Sequence, residues 1–211
     1  DSLDYLQNLG VQALELMPVN EFNGNDSWGY NPTFYFAVDK AYGTKNDLKS
    51  LVNACHERGI AVILDMVYNH ADQPNPFITM YWEDGVVLPY NPWFNQSAPH
   101  TFTWFYDWNH GSAKTRDFVK RNLDHWVQNF HIDGFRWDFT QGIIQEQGVD
   151  GGYSTQRINW MKEYGHHVWN QDPSVYMILE HWCDYNEEKE LANYSGENGN
   201  AAGFMLWANA T

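Results

Sequence analysis

Apolar residues recur along this chain in two alternating patterns. Leu48, Val52 and Cys55 lie three or four positions apart, which is the spacing of one face of an α-helix. Short, nearly continuous apolar runs such as Ile60–Val67 are instead typical of strands that are buried on both faces. The predicted helices are Leu3–Leu9, Lys45–Arg58, Ala113–Phe130 and Gln156–Trp169. The predicted strands are Val11–Val19, Ile60–Val67, Ile132–Phe139, Ser174–Leu179 and Phe204–Trp207.

Strands that alternate with helices predict βα units, a parallel sheet and the α/β class. The sheet is either a doubly wound open sheet or a (β/α)8 TIM barrel, and the chain has no glycine-rich phosphate loop. Long segments follow the strands, at about 20–44, 71–112 and 141–155, and a barrel carries its chemistry on such segments. We therefore predict a barrel. A complete barrel needs eight strands and roughly 250 residues, so residues 1–211 are expected to form one partial, incomplete barrel domain.

Composition and charge exclude several classes of protein. With 43% hydrophobic and 18% charged residues, the 211-residue chain has ample material for a core and is not a disordered polyelectrolyte. Its formal net charge of −15 argues against nucleic acid as a partner, because phosphates require a basic surface. No apolar run is long enough to predict a membrane span. The chain opens without Met or a signal-peptide pattern, so we expect either that such parts were removed or that it is a piece of something longer.

The two cysteines, Cys55 and Cys183, form neither a zinc motif nor a disulfide framework, so two buried free thiols are expected. The acidic, lysine-poor and tryptophan-rich composition favours a secreted or periplasmic location slightly over a cytoplasmic one. Nothing in the sequence indicates the oligomeric state.

Aromatic residues make up 17% of the chain, and many lie outside the predicted strands and helices. Examples are Tyr81–Trp82, Trp93–Phe94 and Trp104–Tyr106. Such rings can bind the flat apolar faces of sugar rings, or they can fasten long loops to the scaffold by burial. The sequence leaves both interpretations open.

Three of the predicted strands carry a carboxylate at or near their carboxyl end, namely Asp65, Asp138 and Glu180. In a barrel, the strand ends converge on one face, so the three acids are expected to meet there. Arg136 precedes Asp138 by two residues and therefore points to the same side of the strand. We expect this guanidinium to lower the pKa of Asp138 and keep it ionised, as a nucleophile requires. Glu180 follows an apolar strand, which would raise its pKa and suit a general acid.

Two carboxylates in such different environments are typical of enzymes that cleave glycosidic bonds. The alternative is that these acids are only helix caps and ion pairs at the rim of a barrel.

Several sequence blocks together are similar to those of one enzyme family. Asp65–His70 has the pattern D-x-x-x-N-H, Gly134–Asp138 has the pattern G-F-R-x-D, and Ile178–Glu180 places an acid at a strand end. Trp28–Pro32 and Tyr42–Thr44 add a fourth stretch. The chain resembles the α-amylase family, glycoside hydrolase family 13. This resemblance implies a (β/α)8 barrel that acts on α-linked glucans such as starch, glycogen or maltooligosaccharides through a covalent glycosyl-enzyme.

The resemblance also implies roles for individual residues. Asp138 would be the nucleophile, Glu180 the general acid/base, and Arg136 would hold Asp138 ionised. The residues implied in substrate binding are Tyr30, Asp65, His70, His181 and Trp182. Asn69 and Asp107 would match ligands of a structural calcium ion, and no organic cofactor is expected.

The chain departs from the family's pattern in two ways. It contains no His-Asp dipeptide to match the block after the seventh strand, so the third catalytic acid is expected to be missing. Val11–Val19 aligns with the second strand and the chain stops near the sixth, which predicts about strands 2 to 6. Gln141-Gly142 replaces a frequent Lys-His pair and leaves room for a branching or debranching specificity, as does the branching-enzyme-like stretch Trp28–Pro32.

Three functions therefore remain open at this point. The first is a retaining hydrolase or a branching, transglycosylating enzyme of the same family, which differ in whether water or a sugar hydroxyl accepts the glycosyl group. The second is a non-catalytic glucan-binding or interaction module on the same barrel. The third is a metal-dependent hydrolase, although its candidate histidines have no H-x-H or H-E-x-x-H spacing. These histidines are His70, His110, His166, His167 and His181.

Overall fold

The computed structural model describes residues 2–207 as eleven strands, six α-helices and one short 3-10 turn. The helices are α1 Ser2–Asn8, α2 Lys45–His56, α3 Pro76–Thr79, α4 Ala113–Phe130, α5 Thr155–Trp169 and α6 Tyr185–Ala192. The strands are β1 Ala13–Leu16, β2 Asn20–Phe22, β3 Pro32–Val38, β4 Ala61–Met66, β5 His70–Ala71, β6 Trp82–Glu83, β7 Val86–Val87, β8 Tyr106–Asp107, β9 Gly134–Trp137, β10 Tyr176–Leu179 and β11 Phe204–Leu206.

Five of these strands form one parallel sheet in the order β1-β4-β9-β10-β11. Each coincides with a predicted strand, and the structure shortens the first from Val11–Val19 to Ala13–Leu16. The spatial order follows the chain order, as expected when each strand is connected to the next by a crossover. The parallel sheet predicted from the alternation of strands and helices is therefore confirmed.

Close packing of β9 against its neighbours depends on a glycine at its first position. A Cβ atom at Gly134 would lie 2.6 Å from Cβ of Tyr176 and 2.8 Å from Cδ1 of Ile63. Glycine at this position therefore allows β9 to pair closely with β4 on one side and with β10 on the other. The helices α2, α4 and α5 bury their apolar faces in the core. The buried apolar residues of α4 are Phe118, Val119, Leu123, Trp126 and Phe130.

The long inserts contain small elements that apolar periodicity did not predict. Residues 20–44 hold the antiparallel pair β2–β3, and residues 71–112 hold α3 and the hairpin β6–β7. Helix α6 was also missed, because it buries only Glu187 and Leu191 and therefore has almost no apolar face. The strands β2, β6 and β7 have only two or three residues each, too few positions to establish a period.

Both cysteines carry free thiols, as expected. Cys55 is buried, whereas Cys183 is partly exposed, so the expectation of burial is correct for the first and wrong for the second. None of the helices formed by residues 2–207 has the length and apolar character needed to cross a membrane.

Candidate active site

The ends of β4, β9 and β10 bring three carboxylates to one guanidinium. Arg136 Nη1 donates to Asp65 Oδ1 at 2.7 Å and to Asp138 Oδ1 at 2.9 Å. Its second terminal nitrogen, Nη2, lies 2.9 Å from Glu180 Oε2. The Arg136 side chain is only 5% exposed, so the cluster is shielded from water. The expected meeting of three acids at one face of the sheet is what the structure shows, and they form one cluster rather than separate caps.

The electrostatics of this cluster correct one expectation. Burial raises the pKa of Asp138, Arg136 lowers it, and the nearby Glu180 and Asp65 carboxylates raise it again, for a net rise to about 7. Burial likewise raises the pKa of Asp65. Arg136 does lower the pKa of Asp138, as expected, but the expected low net pKa is wrong, because one cation faces three buried carboxylates.

The carboxyl group of Glu180 is oriented by the turn that follows Asp138. Phe139 N donates to Glu180 Oε2 at 2.8 Å, and this oxygen also faces Arg136. Among residues 2–207, no side chain or amide is hydrogen-bonded to Oε1. The free oxygen, Oε1, is therefore the one that can carry a transferable proton.

A cleft of about 400 Å³ opens above the cluster. Asp138 and Glu180 line its floor, and its walls are aromatic. The rings at the cleft are Trp28, Tyr30, Trp104, Phe105, Phe139, Trp182 and Trp207. Other loop rings, such as Phe94 and Trp108, are buried and stacked on each other at 4.0 Å. Burial therefore explains the second set of rings, whereas the first set lines the cleft and is available to a ligand.

Tyr30, Asp65 and His70 lie together at one side of the cleft. The Tyr30 hydroxyl donates to Asp65 Oδ2 at 2.6 Å, and His70 Nε2 lies 2.8 Å from the Tyr30 carbonyl. Burial lowers the pKa of His70 to about 4, so the ring is neutral and Nε2 carries its proton. Tyr30 and His70 line the cleft, as the resemblance implies for substrate contacts. Asp65 is buried behind them with both carboxylate oxygens engaged, so the expectation that it contacts substrate is corrected.

His181 and Trp182 have different positions despite being adjacent. Trp182 lines the cleft and stacks on Trp207, with ring centroids 6.3 Å apart. The His181 side chain is fully buried below the cleft, between Glu187 Oε1 and Thr140 Oγ1, at 2.9 Å from each. The expectation that His181 contacts substrate is therefore corrected, because its ring nitrogens are both engaged inside the protein.

The histidines do not converge as a metal-dependent hydrolase would require. His110 is buried against Tyr164 and the Tyr68 carbonyl. His166 and His167 lie on α5, where they face Glu197 and Asp124. Within residues 2–207, the one group of three metal-type ligands close to each other is His181, Cys183 and Glu187. Glu187 already forms a fully buried ion pair with Arg157, so a protein cation supplies the charge there.

The two residues expected to bind calcium differ, because Asp107 has both carboxylate oxygens engaged by protein groups whereas Asn69 keeps a buried oxygen unpartnered. Asp107 Oδ1 faces His100 Nε2 at 2.9 Å, and its Oδ2 accepts from Asn95 Nδ2 at 2.6 Å. Two nitrogen groups thus occupy the positions beside Asp107 that a cation needs, whereas calcium takes six to eight oxygen ligands. The nearby Gly142 carbonyl accepts from Ile144 N.

The remaining donor, Asn69, is buried with its Oδ1 unpartnered. Its Nδ2 lies 3.2 Å from His70 Nδ1, which as the unprotonated nitrogen accepts this bond. Oδ1 therefore points the other way, toward Gly142, where an added Cβ would lie only 1.9 Å from it. Glycine in place of the family's frequent histidine is what allows Asn69 to lie here.

This arrangement predicts that calcium removal has no effect. Treatment with a chelator should leave both the melting temperature and any glucan cleavage unchanged, because Asp107 is held by His100 and Asn95 rather than by an ion. Differential scanning calorimetry with and without chelator, followed by calcium addition, measures this. A melting temperature that falls with chelator and is restored by calcium would contradict the assignment.

Comparisons with known proteins show which family and fold the chain is similar to. The sequence profile described as "Alpha amylase, catalytic domain" matches residues 1–104. The malto-oligosyltrehalose trehalohydrolase of Saccharolobus solfataricus is 38% identical over 144 residues, which is 67% of this chain and 24% of that protein. The 1,4-alpha-glucan branching enzyme GlgB of Nitrosospira multiformis is 36% identical over 142 residues, which is 67% of this chain and 19% of that enzyme.

The solved structure of Eubacterium rectale Amy13B superimposes with a TM-score of 0.73 at 25% identity, over 89% of this chain and 40% of that one. The chain thus spans about a fifth to two fifths of the length of these proteins. Its five-stranded parallel sheet is part of a (β/α)8 barrel. With the profile match, the sequence identities and the shared fold taken together, the chain belongs to the α-amylase family, glycoside hydrolase family 13.

Proposed function

We propose that the protein to which this chain belongs is a retaining glycoside hydrolase that acts on α-linked glucans. The observation that carries the proposal is the pair Asp138 and Glu180, bound to opposite nitrogens of one buried guanidinium at the floor of an aromatic cleft. Two carboxyl groups roughly 5 Å apart characterise retaining enzymes. A shared arginine holds two carboxylates close enough for that mechanism.

The residues divide the reaction into two displacements. In the first, Glu180 Oε1 gives its proton to the glycosidic oxygen while an Asp138 oxygen attacks the anomeric carbon. The bond to the leaving sugar breaks and a glycosyl ester on Asp138 forms. In the second, Glu180 takes a proton from water, whose oxygen displaces Asp138 and restores the original configuration. The two inversions explain retention.

The neighbours of the pair support this division of roles. Arg136 neutralises negative charge on Asp138 and binds the Glu180 oxygen that does not carry the proton. Asp65 accepts the hydroxyl proton of Tyr30 and so orients Tyr30, which lines the cleft and can contact the bound sugar. Aromatic walls suit the apolar faces of glucose units, and they exclude water from the reacting bond.

A branching or transglycosylating enzyme is the second candidate. The relatives named above include a trehalohydrolase and a branching enzyme at nearly equal identity, so similarity does not separate water from a sugar hydroxyl as acceptor. Product analysis with added maltooligosaccharide acceptor separates the two. If new α-linked chains form without an increase in reducing ends, the enzyme transfers the glycosyl group to a sugar and does not hydrolyse the bond. A non-catalytic binding module is disfavoured by the intact set of Arg136, Asp138 and Glu180 in the cleft.

Glu180→Gln tests the assignment of the general acid. Cleavage of a maltooligosaccharide should fall roughly 10²- to 10⁴-fold, because the leaving sugar needs a proton. Cleavage of a dinitrophenyl glycoside should fall far less, since that leaving group needs none. Glu190→Gln, which removes a carboxylate that pairs with Lys162 on the surface, is the matched control and should change neither rate. Equal losses on both substrates would overturn the role of Glu180.

The raised pKa of Asp138 predicts a particular pH dependence. The nucleophile must be ionised, so kcat/KM should fall by about tenfold per pH unit below a midpoint near pH 7. Asp138→Glu and wild-type profiles measured on one activated glycoside would locate this limb. A wild-type kcat/KM that stays constant from pH 7 down to the ordinary range of an aspartate would contradict the coupled cluster.

A further inference from the structure

Residues that the reaction does not use form a buried chain of polar contacts directly beneath Glu180. It begins at Arg157, which lies on α5, and ends at the backbone carbonyl of Glu180. Its members are Arg157, Glu187, His181 and Thr140. Arg157, Glu187 and His181 have fully buried side chains, so each contact is made without competition from water.

The first part of this chain fixes the imidazole of His181. Burial raises the pKa of the Glu187 carboxyl, but hydrogen bonds from His181 and Arg157 outweigh it and hold that pKa below its ordinary value. Glu187 is thus an ionised acceptor, and the ring nitrogen that faces it, Nε2 at 2.9 Å, must carry a proton. The other ring nitrogen, Nδ1, lies 2.9 Å from Thr140 Oγ1. The single proton of that hydroxyl is donated to the Glu180 carbonyl, so Nδ1 is the donor to Thr140 Oγ1.

The second part fixes the backbone of the acid. The Thr140 hydroxyl donates to the Glu180 carbonyl at 2.9 Å, and Thr140 N lies 3.0 Å from the same oxygen. One residue earlier, Phe139 N donates to the Glu180 carboxyl. Phe139 has a φ of 42°, a left-handed conformation that is costly for a bulky residue and requires support from its surroundings. Thr140 therefore ties this strained turn, which also carries Asp138, to Glu180.

We propose that Thr140 and His181 are positioning residues that hold the Glu180 carboxyl in its proton-donating geometry. Glu187 orients His181, His181 holds the Thr140 hydroxyl, and Thr140 sets the distance between the turn after Asp138 and the end of β10. The proposal rests on the role of Glu180 as general acid/base given above. According to this proposal, side chains that do not contact the substrate determine how Asp138 and Glu180 are placed relative to each other.

Thr140→Val is the direct test, because it removes the hydroxyl and keeps the shape of the side chain. We expect kcat on a maltooligosaccharide to fall about tenfold, a fraction of what a whole general acid contributes, with little change in KM. Cleavage of a dinitrophenyl glycoside should be nearly unaffected, so the ratio of the two rates changes. Thr140→Ser restores a hydroxyl and should return this ratio toward the wild-type value.

Thr115→Val is the matched control for stability. Thr115 is also fully buried, and its hydroxyl donates to the Trp93 carbonyl at 3.1 Å, outside this chain of contacts. Both valine variants should lose similar stability, yet only Thr140→Val should change the ratio of rates. If Thr115→Val changes the ratio equally, or if Thr140→Val lowers both rates alike, the positioning role is wrong.

A readout that does not need turnover separates this proposal from the proposed function. Carbon-13 NMR of the Glu180 carboxyl, assigned with Glu180→Gln, reports on its hydrogen bonding. Thr140→Val should change the chemical shift of that carboxyl, because the carboxyl leaves Phe139 N, while Thr140→Ser and Thr115→Val should not. An unchanged chemical shift in Thr140→Val overturns the positioning proposal. A wild type that cleaves neither substrate overturns the proposed function alone.

Discussion

Replacement of Asp138 by Asn is expected to reduce glucan cleavage by at least about 10⁴-fold, because no other group can form the glycosyl ester. The amide has the shape of the carboxyl and can still contact Arg136 through its oxygen. Binding of a maltooligosaccharide should therefore survive, with an affinity within about tenfold of wild type. Rates on the activated glycoside should fall as severely as those on the natural glucan, in contrast to Glu180→Gln.

The control for this variant is Asp117→Asn on the exposed face of α4, where the carboxylate is 68% exposed and lies outside the cleft. It should leave rate and binding unchanged. Calorimetric titration and initial rates on both substrates provide the two measurements. Turnover in Asp138→Asn within tenfold of the wild type would mean that another residue is the nucleophile.

Arg157→Met is expected to have the largest effect on stability. The Arg157 guanidinium makes two bonds to Glu187, at 2.6 and 2.9 Å, and donates to the carbonyls of Gln141, Asp150 and Gly152. All of these are lost in the variant, and Glu187 remains as a buried charge without its cation. Breaking a buried pair from one side costs about 3–5 kcal/mol. Urea unfolding measures this loss as a decrease in the free energy of unfolding.

Two further variants separate the ion pair from the mere loss of a long side chain. Lys162→Met removes a partly exposed partner of Glu190 and should cost less than about 1 kcal/mol. The double variant Arg157→Met/Glu187→Leu removes both charges and should recover part of the loss. A cost for Arg157→Met as small as that for Lys162→Met would show that the buried pair contributes little.

The barrel strands were predictable because their signal is local. Ile60–Val67 and Ser174–Leu179 are continuous apolar runs, and the structure places β4 and β10 within them. The meeting of Asp65, Asp138 and Glu180 was predictable for the same reason, since parallel strands end at a common edge. The small elements of the inserts were not, because strands of two or three residues such as β6 and β7 are defined by pairing and not by composition.

The properties that sequence reasoning missed depend on distant neighbours. The pKa of Asp138 depends on how many carboxylates share Arg136 and on their burial, which no single motif contains. The orientation of His181 is decided by Glu187, a residue on a helix that periodicity did not reveal. Gly142 carried a weak signal as a departure from the family pattern, but its reason, the approach of Asn69 Oδ1, is visible only in three dimensions.

The central claim is that Asp138 forms a covalent bond to the sugar in an aromatic cleft whose acid is Glu180. A fluorinated α-glucosyl fluoride tests it most directly, because a good leaving group permits the first displacement while the fluorine slows the second. Mass spectrometry of the digested protein should find the glycosyl group on the peptide that contains Asp138, and Asp138→Asn should abolish the label. A label on another carboxylate, or an equal label in Asp138→Asn, would contradict the assignment of the nucleophile.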